Sequence, residues 1–326
     1  MKLSTDFTAL NRAFNEIIAS KLNGVSGVWV ARSARPGPVV GITIGTHGNE
    51  PSGLAAYWYY RHVYQLEHQL QSGTVIFILN NICAMASYLD AVAQNDEARK
   101  RQARFVDLNM NRLPDDVFDR DDDQRYEVRR ANELRPVWSM IEYGLDLHST
   151  LATSDPQVIA LERSSIDMVR RFPIVTVIKN IDAIQTGKPA SYFYGNGKAA
   201  VYGIEGGKHE QRATFVRTAE CVKQFLMELA MLKRRRTHPK RVQRVYSIFS
   251  SVLFPNSSYE LTEVLPSFKR IEKGHLIAKG DQGPILAPSR CYTINACPFK
   301  KPPKEGDELM FLSRPPKLLK ARRLKK

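Results

Sequence analysis

Apolar and polar positions along the chain fall into two textures. Through residue 232, short apolar runs alternate with stretches of helical spacing. Val28–Ala31, Val39–Ile44 and Val75–Leu79 read as buried strands, and Leu54–Leu66 between the last two reads as a helix of mixed polarity. Strand, helix, strand in that order predicts an α/β sheet. Glu127–Ile141 continues as a helix, and Leu145–His148, Val158–Leu161, Ile174–Ile178 and Ala200–Ile204 continue as strands. The clearest amphipathic helix is Thr214–Leu232, with Phe215, Ala219, Val222, Phe225, Leu226, Leu229 and Leu232 on one stripe. Past the basic stretch 233–241 the pattern becomes short alternating segments punctuated by Gly and Pro: Tyr246–Leu253, His275–Ala278, Ile285–Ala287, Tyr292–Ala296 and Glu308–Leu312. Such punctuation predicts a small β-rich unit. The expected organisation is an α/β domain over 1–240, a β-rich domain over 241–315 and a basic tail over 316–326, with no internal repeat.

At 326 residues with 43% hydrophobic content and a mean hydropathy of −0.34, the composition is that of a soluble globular protein. No run approaches the ~18–20 apolar residues of a membrane span. Met1–Phe14 has neither the basic start nor the apolar centre of a signal peptide, so a cytoplasmic protein is expected. Cys83, Cys221, Cys291 and Cys297 have no CxxC spacing and read as mostly buried thiols, Cys83 being the least certain of the four. The net charge of +15 is concentrated in Lys233–Arg236 with Lys240-Arg241, and in Lys317–Lys326. Neither run carries the interleaved aromatic rings that stack on unpaired bases, so no specific nucleic acid partner is expected. Like-charge blocks read first as a solvated linker and tail. Salt-sensitive attachment to anionic lipid or nucleic acid, and steering of an anionic substrate, stay open beside that reading. The acidic cluster between Asp115 and Asp123 lacks the EF-hand spacing and reads as a solvated loop or helix start.

The chemistry begins at Gly45-Thr46-His47-Gly48-Asn49-Glu50. His47 and Glu50 stand three residues apart on the turn between an apolar strand and a helix, and ligands of α/β sheets bind outside the carboxyl ends of strands. Asp146-Leu147-His148 supplies a further imidazole. A catalytic zinc takes three protein ligands at about 2.0–2.2 Å and leaves the fourth position to water, and His47, Glu50 and His148 make such a set for one Zn2+ per chain. An HxxE tetrapeptide alone is better read as two polar loop residues, and it is the context that favours a metal site. Mixed imidazole and carboxylate ligation also suits manganese, cobalt or iron. Glu205 ends the apolar strand Ala200–Ile204 and precedes two glycines. Partial desolvation there raises a carboxyl pKa toward the range of a general base, and a structural ion pair is the plainer alternative. Asp146 shares a strand face with His148 and is placed to accept the outward N–H of a ligating histidine. His62, His68, His238 and His275 read as bystanders. His209, four residues after Glu205, is weighed as a cleft residue and, with more weight, as another bystander.

Two further segments align with these: Arg104-Phe-Val-Asp-Leu-Asn-Met-Asn111-Arg112 between the ligand segments, and Tyr202-Gly-Ile-Glu205-Gly-Gly after them. In order and spacing the four motifs resemble the succinylglutamate desuccinylase and aspartoacylase family of zinc amidohydrolases, relatives of the zinc carboxypeptidases. The resemblance spans roughly residues 38–210 and, more loosely, Gly274–Pro288. It implies a zinc-carboxypeptidase-like mixed central sheet flanked by helices with a smaller C-terminal β-rich domain. It also implies hydrolysis of the amide of an N-acyl amino acid, a small carboxylate-bearing substrate, by metal-activated water with Glu205 as general base. Arg104 would then stabilise the oxyanion, and Asn111 with Arg112 would hold the carboxylate next to the scissile amide.

One departure from the family pattern concerns the acyl side. Where aspartoacylases carry an arginine for the second carboxylate, Tyr192–Ala200 has none, and Lys198 is left as a point charge without a bidentate fork. The aromatic, Gly-rich Tyr192–Gly197 suggests an adaptable, less acidic acyl pocket, which counts against N-acetylaspartate and does not favour succinylglutamate. A carboxypeptidase acting on short peptides would use the same metal and the same Asn111/Arg112 clamp. A non-catalytic binding protein of the same fold, docking through its basic tail, is the third reading. Neither the acyl group nor a homo-oligomeric state is set by the sequence.

Overall fold

The computed structural model describes residues 6–120, 122–150, 155–233, 242–296, 306 and 308–319. The chain divides into two compact units, residues 1–175 with 186–240, and residues 176–185 with 241–326. The second unit thus takes in the strand near residue 176, which the sequence places inside the first domain.

In the first unit, strands β1 (Val28–Arg32), β2 (Val39–Ile44), β3 (Thr74–Leu79), β4 (Tyr143–Thr150), β5 (Gln157–Ala160) and β6 (Ala200–Lys208) form a mixed sheet in the order β5-β6-β4-β2-β3-β1. β2, β3, β4 and β6 are mutually parallel where they pair. β1 runs antiparallel to β3, and β5 runs antiparallel to β6. After β2 the chain moves to β3 on one side, then crosses back to β4 on the other. The carboxyl ends of β2 and β4 therefore flank a topological switch point, where open α/β sheets hold their ligands.

Helices cover both faces. α1 (Phe7–Ala19), α2 (Ser52–Trp58) and α6 (Arg212–Glu228) pack together on one side, with Tyr57 of α2 against Trp29 and Phe77. The alternation of side chains along a strand sends Ile76 and Ile78 of β3 to the opposite core, among Val128, Ala131, Leu134, Val137 and Trp138 of α5 (Tyr126–Trp138). α3 (Ile82–Ala93) and α4 (Glu97–Gln102) lie between β3 and the Arg104–Arg112 segment in sequence. The helix read over Leu54–Leu66 begins earlier, at Ser52, and widens into a π turn over Tyr59–Val63, where Tyr60 is fixed by donating its hydroxyl to Ala219 O at 2.7 Å.

In the second unit, Gln243–Leu253 pairs parallel with Thr176–Lys179 and antiparallel with Glu308–Ser313. Cys291–Ile294 and Arg270–Ile271 extend that ladder, and Glu260–Leu261, Leu276–Lys279 and Ile285–Leu286 form a small separate sheet. Its core gathers Val252, Phe254, Leu261, Ile277, Cys291 and Met310. Lys317–Leu319, read as the start of a basic tail, pair with Gln243–Val245 as a strand. The remainder of the tail, the basic run from residue 234 to 241, and Cys297 lie outside the described residues. Cys221 and Cys291 are buried thiols, but Cys83 is exposed, because its position on α3 faces away from the sheet. The acidic stretch forms surface ion pairs, Asp116 with Arg120 and Asp123 with Arg125. Among the described residues no helix is long and apolar enough to cross a membrane.

One carboxylate ties helix to loop. Glu127, fully buried at the start of α5, accepts the backbone N–H groups of Val106, Asp107 and Leu108 at 2.6, 3.0 and 2.9 Å and the side-chain amide of Asn81 at 2.8 Å. Asn81 in turn caps α3 through Ala84 N. Glu127→Ala strands these donors, and with charge-assisted bonds worth about 1.5–3 kcal/mol each but not additive, a loss of about 2–4 kcal/mol in unfolding free energy is expected in urea titration. An unchanged midpoint would show that water replaces the carboxylate at no cost.

Candidate active site

The turn after β2 is forced tight by its neighbours. Gly48 N donates to Arg104 O at 3.0 Å, and a Cβ on Gly48 would stand 2.2 Å from the Ala84 backbone and 2.4 Å from Ala103 O. Only glycine allows that approach, which turns His47 and Glu50 inward over the strand ends. β4 delivers the third group. Its register against β2 pairs Thr43 with Asp146, and against β6 pairs His148 with Glu205.

His47, Glu50 and His148 come together in full burial, with one ligand atom from each lying within 4.8 Å of the others. Glu50 sits between the imidazoles: Oε1 is 2.8 Å from His47 Nδ1, and Oε2 is 2.9 Å from His148 Nδ1. The outward nitrogens face oxygen acceptors. His47 Nε2 lies 2.9 Å from Asn109 Oδ1 and His148 Nε2 lies 3.1 Å from Asp146 Oδ2. Such partners hold the proton on Nε2 and leave the Nδ1 lone pairs directed inward. Two lone pairs and a carboxylate then converge on one small volume, which is the donor set a dication satisfies. Ser149 N adds a bond to Glu50 Oε2 at 3.1 Å.

A buried polar chain supports Asp146 from below. Thr46 Oγ1 donates to Asp146 Oδ1 and accepts from Asn80 Nδ2, each at 3.1 Å. The Tyr194 hydroxyl bonds to Thr43 Oγ1 beside it.

Charges at the site shift one another. Burial, then the Arg104 guanidinium, pulls His47 down to about 4. Burial would also lower His148, but Asp146 and Glu50 outweigh it and hold that imidazole well above its usual range. Burial would raise Glu50, yet His47 and His148 keep it well below an ordinary carboxyl. Glu205 is pushed up to about 7, chiefly by burial with Glu50 adding, against His148 and Arg104.

Of the residues singled out in the sequence, Arg104 reaches the cluster, its Nη1 3.1 Å from Glu50 Oε1 while the side chain remains 40% exposed. Asn111 and Arg112 follow Asn109 in a short turn, Met110–Arg112, whose first N–H bonds belong to Asn109 Oδ1 and O. Lys198 is not brought to this site. β6 runs parallel to β4, so the loop before it lies at the amino edge of the sheet; the exposed Lys198 precedes Ala200, which itself stands about 17 Å of strand from Glu205. The Tyr192–Gly197 loop shares that edge and packs on Trp138, with the Tyr194 hydroxyl reaching Thr43. Sequence reasoning missed Asn109, though it occupies the D/N position of the Arg104 motif, and missed Glu127, which no local pattern marks.

Asn49 Oδ1, Asn111 Oδ1, Glu205 Oε2 and His209 Nε2 are buried with no hydrogen-bond partner among the described residues. Buried polar atoms are normally paired; Asn49 adjoins Glu50, Asn111 lies two residues from Asn109, Glu205 pairs with His148 in the sheet, and His209 bonds Ser149.

Comparison with known proteins bears on the same residues. Residues 36–185 match the model of the succinylglutamate desuccinylase/aspartoacylase catalytic domain. No curated protein matches the sequence. Among solved structures, the fold is similar to succinylglutamate desuccinylase from Vibrio cholerae (TM-score 0.69, 13% identity, 96% of this chain and 98% of that one). It is also similar to murine aminoacylase 3 (TM-score 0.59, 19% identity, 89% and 98%) and to a product-bound ectoine utilization protein from Ruegeria pomeroyi (TM-score 0.61, 14% identity, 88% and 88%). At these identities the likeness is one of fold. The family match covers the segments that carry His47, Glu50, Arg104, Asn111, Arg112 and His148, and by it residues 36–185 belong to the succinylglutamate desuccinylase/aspartoacylase catalytic-domain family.

Proposed function

We propose that the protein is a zinc-dependent hydrolase that cleaves the amide of an N-acyl amino acid. The observation that carries the reading is the convergence of both Nδ1 atoms on Glu50 while both Nε2 atoms face acceptors, with a raised carboxyl, Glu205, on the adjoining strand. His47, Glu50 and His148 would hold the metal, and Asp146 with Asn109 would fix the histidine tautomers. A dication held there supplies Lewis acidity toward an amide carbonyl and acidifies water.

Glu205 takes the proton released as water attacks and returns it to the leaving amine. Its value near 7 suits both directions of transfer at neutral pH. Arg104, half in solvent and half against Glu50, offers its guanidinium to the oxyanion that develops on the carbonyl. Asn111, whose Oδ1 is buried without a partner among the described residues, and Arg112 recognise the carboxylate beside the scissile bond. With Lys198 at the far edge of the sheet, the acyl group meets no cation from that loop. A short uncharged acyl group fits this better than a dicarboxylate one. The names of similar structures support deacylation in general and not this choice: aminoacylase and desuccinylase both describe removal of an acyl group from an amino acid.

Zinc content of the purified protein, with amine release from N-acetyl, N-formyl and N-succinyl amino acids and dipeptides, tests the reading. About one zinc per chain and release abolished in Glu205→Gln are expected; a metal-free or inert protein would refute it, and preference for dipeptides would make it a carboxypeptidase. Arg104→Ala should lower kcat on the order of 10²–10³-fold.

Metal should also stabilise the fold. Zinc at a hundredfold excess over its dissociation constant adds about 2.7 kcal/mol by linkage, seen as a rise in Tm that His148→Ala abolishes. An identical rise in that variant would place the ion elsewhere.

The pH profile has a definite sign. A base works deprotonated, so kcat/KM should fall as pH drops through the Glu205 pKa, about 7 in the metal-free protein. A dication beside it lowers that value, so the acidic limb of the loaded enzyme should lie below 7 and vanish in Glu205→Gln. A limb that survives the substitution would assign it to another group.

A further inference from the structure

His209 does not behave as a bystander. It stands in the turn between β6 and α6, and its position is fixed from three directions. Its backbone N–H donates to Thr150 O at 2.8 Å. Its Nδ1 lies 2.7 Å from the hydroxyl of Ser149, the residue whose own N–H bonds Glu50. The next residue, Glu210, is held in the left-handed region at φ 60° while it accepts from the Tyr88 hydroxyl at 2.6 Å and meets Lys100 Nζ at 3.4 Å. A non-glycine residue keeps such a backbone only where its surroundings over-determine it, and such places gather at functional sites.

The strand geometry explains how the side chain arrives there. β4 and β6 pair His148 with Glu205 but Thr150 with Lys208, so β6 carries one extra residue between these pairs. The bulge falls at Gly206-Gly207, where Gly207 adopts φ 118°. Bulges re-aim side chains at the edges of active sites. This one leaves Glu205 beside His148 and brings His209 over Ser149, one residue further along β4. What remains is Nε2, buried and without a hydrogen-bond partner among the described residues.

We infer that His209 is a substrate-contacting residue, oriented by Ser149, that donates Nε2–H to an oxygen on the acyl side of the bound amide. The inference rests on the deacylase reading and deepens it. With the Ser149 hydroxyl as donor to Nδ1, the ring proton sits on Nε2. The ring then offers an uncharged donor that suits a neutral acyl oxygen, whereas a carboxylate calls for the guanidinium fork that this chain lacks in the loop before β6. Ser149 acts through His209 and is a positioning residue.

The test compares His209→Leu, His209→Gln and Ser149→Ala with the wild type on N-acetyl, N-formyl and N-succinyl amino acids. Calorimetric binding of the N-acetyl compounds is measured alongside in a Glu205→Gln background, where no turnover blurs affinity. His209→Leu should lose about tenfold in kcat/KM and about tenfold in affinity, the worth of one uncharged hydrogen bond, with zinc content and Tm unchanged. His209→Gln, which can present an amide N–H near the Nε2 position, should recover most of the loss. Ser149→Ala should lose about threefold, as an orienting contact does. Wild-type turnover matched by His209→Leu, or loss in His209→Gln and His209→Leu alike accompanied by a fall in Tm, would overturn the inference and leave His209 a structural pin of the turn. A wild type that neither binds nor hydrolyses any compound would overturn the deacylase reading itself.

Discussion

A carboxylate buried to 2% exposure between two imidazoles is the constraint to which the carboxyl end of this sheet answers. An ionised group taken out of water costs several kcal/mol unless it is paired and hydrogen-bonded. Glu50 receives His47, His148, Arg104 and Ser149 N around its two oxygens. Each partner is itself held: His47 by Asn109, His148 by Asp146, Asp146 by Thr46, and Thr46 by Asn80. The polar interior is thus one connected set, and deleting a member strands its neighbours rather than removing a single bond.

The apolar architecture delivers that set to one point. The crossover that puts β3 and β4 on opposite sides of β2 opens the crevice, and the close approach of Gly48 to the Ala84 backbone folds His47 and Glu50 into it. Glu127 does the same for the other wall. By gathering three successive backbone N–H groups it fixes the path of residues 106–108, which lie between Arg104 on Glu50 and Asn109 on His47. A helix residue that bonds none of His47, Glu50 and His148 therefore sets the geometry of two residues that do.

How much of this the sequence reveals depends on whether the signal is local. The strands Val39–Ile44 and Val75–Leu79 are unbroken apolar runs bounded by turn residues, and they fold as read. Helix α1 carries helical spacing at Leu10, Ala13, Phe14 and Ile17, a signal that lies in the segment whose composition bears on a leader. α3 is harder, because Ile82–Ala93 is apolar on several sides and its Asn81 cap resembles an ordinary loop residue. At the site, His47, Glu50 and His148 stand out because their chemistry is rare and their spacing fits a turn and a strand. Glu127 does not, since its partners lie about 20 and 46 residues away and a lone Glu near a helix start looks solvated. Lys198 fails for a topological reason. Nearness to Glu205 in sequence becomes distance in space when the intervening residues form a strand.

The His47–Glu50–His148 cluster carries an electrostatic tension of its own. With protons drawn to the Nε2 atoms by Asn109 and Asp146, the inward Nδ1 atoms present lone pairs to a carboxylate at 2.8 and 2.9 Å. Relief comes from a proton or a cation, and the two relieve it differently. A proton on His148, favoured by Asp146 and Glu50, settles one contact and leaves His47, held down near 4 by burial and Arg104, without a proton of its own to give Glu50. A dication serves both contacts together. The strands Val39–Ile44 and Thr74–Leu79 do not depend on that choice, since apolar burial and ladder hydrogen bonds hold them. The turn from Gly45 to Glu50 does depend on it. If the proposed metal binds there, its removal should loosen this turn and the Arg104 segment bonded to it before it loosens the strands, so that hydrogen exchange at Gly48, whose N–H rests on Arg104 O, reports the occupancy of the site.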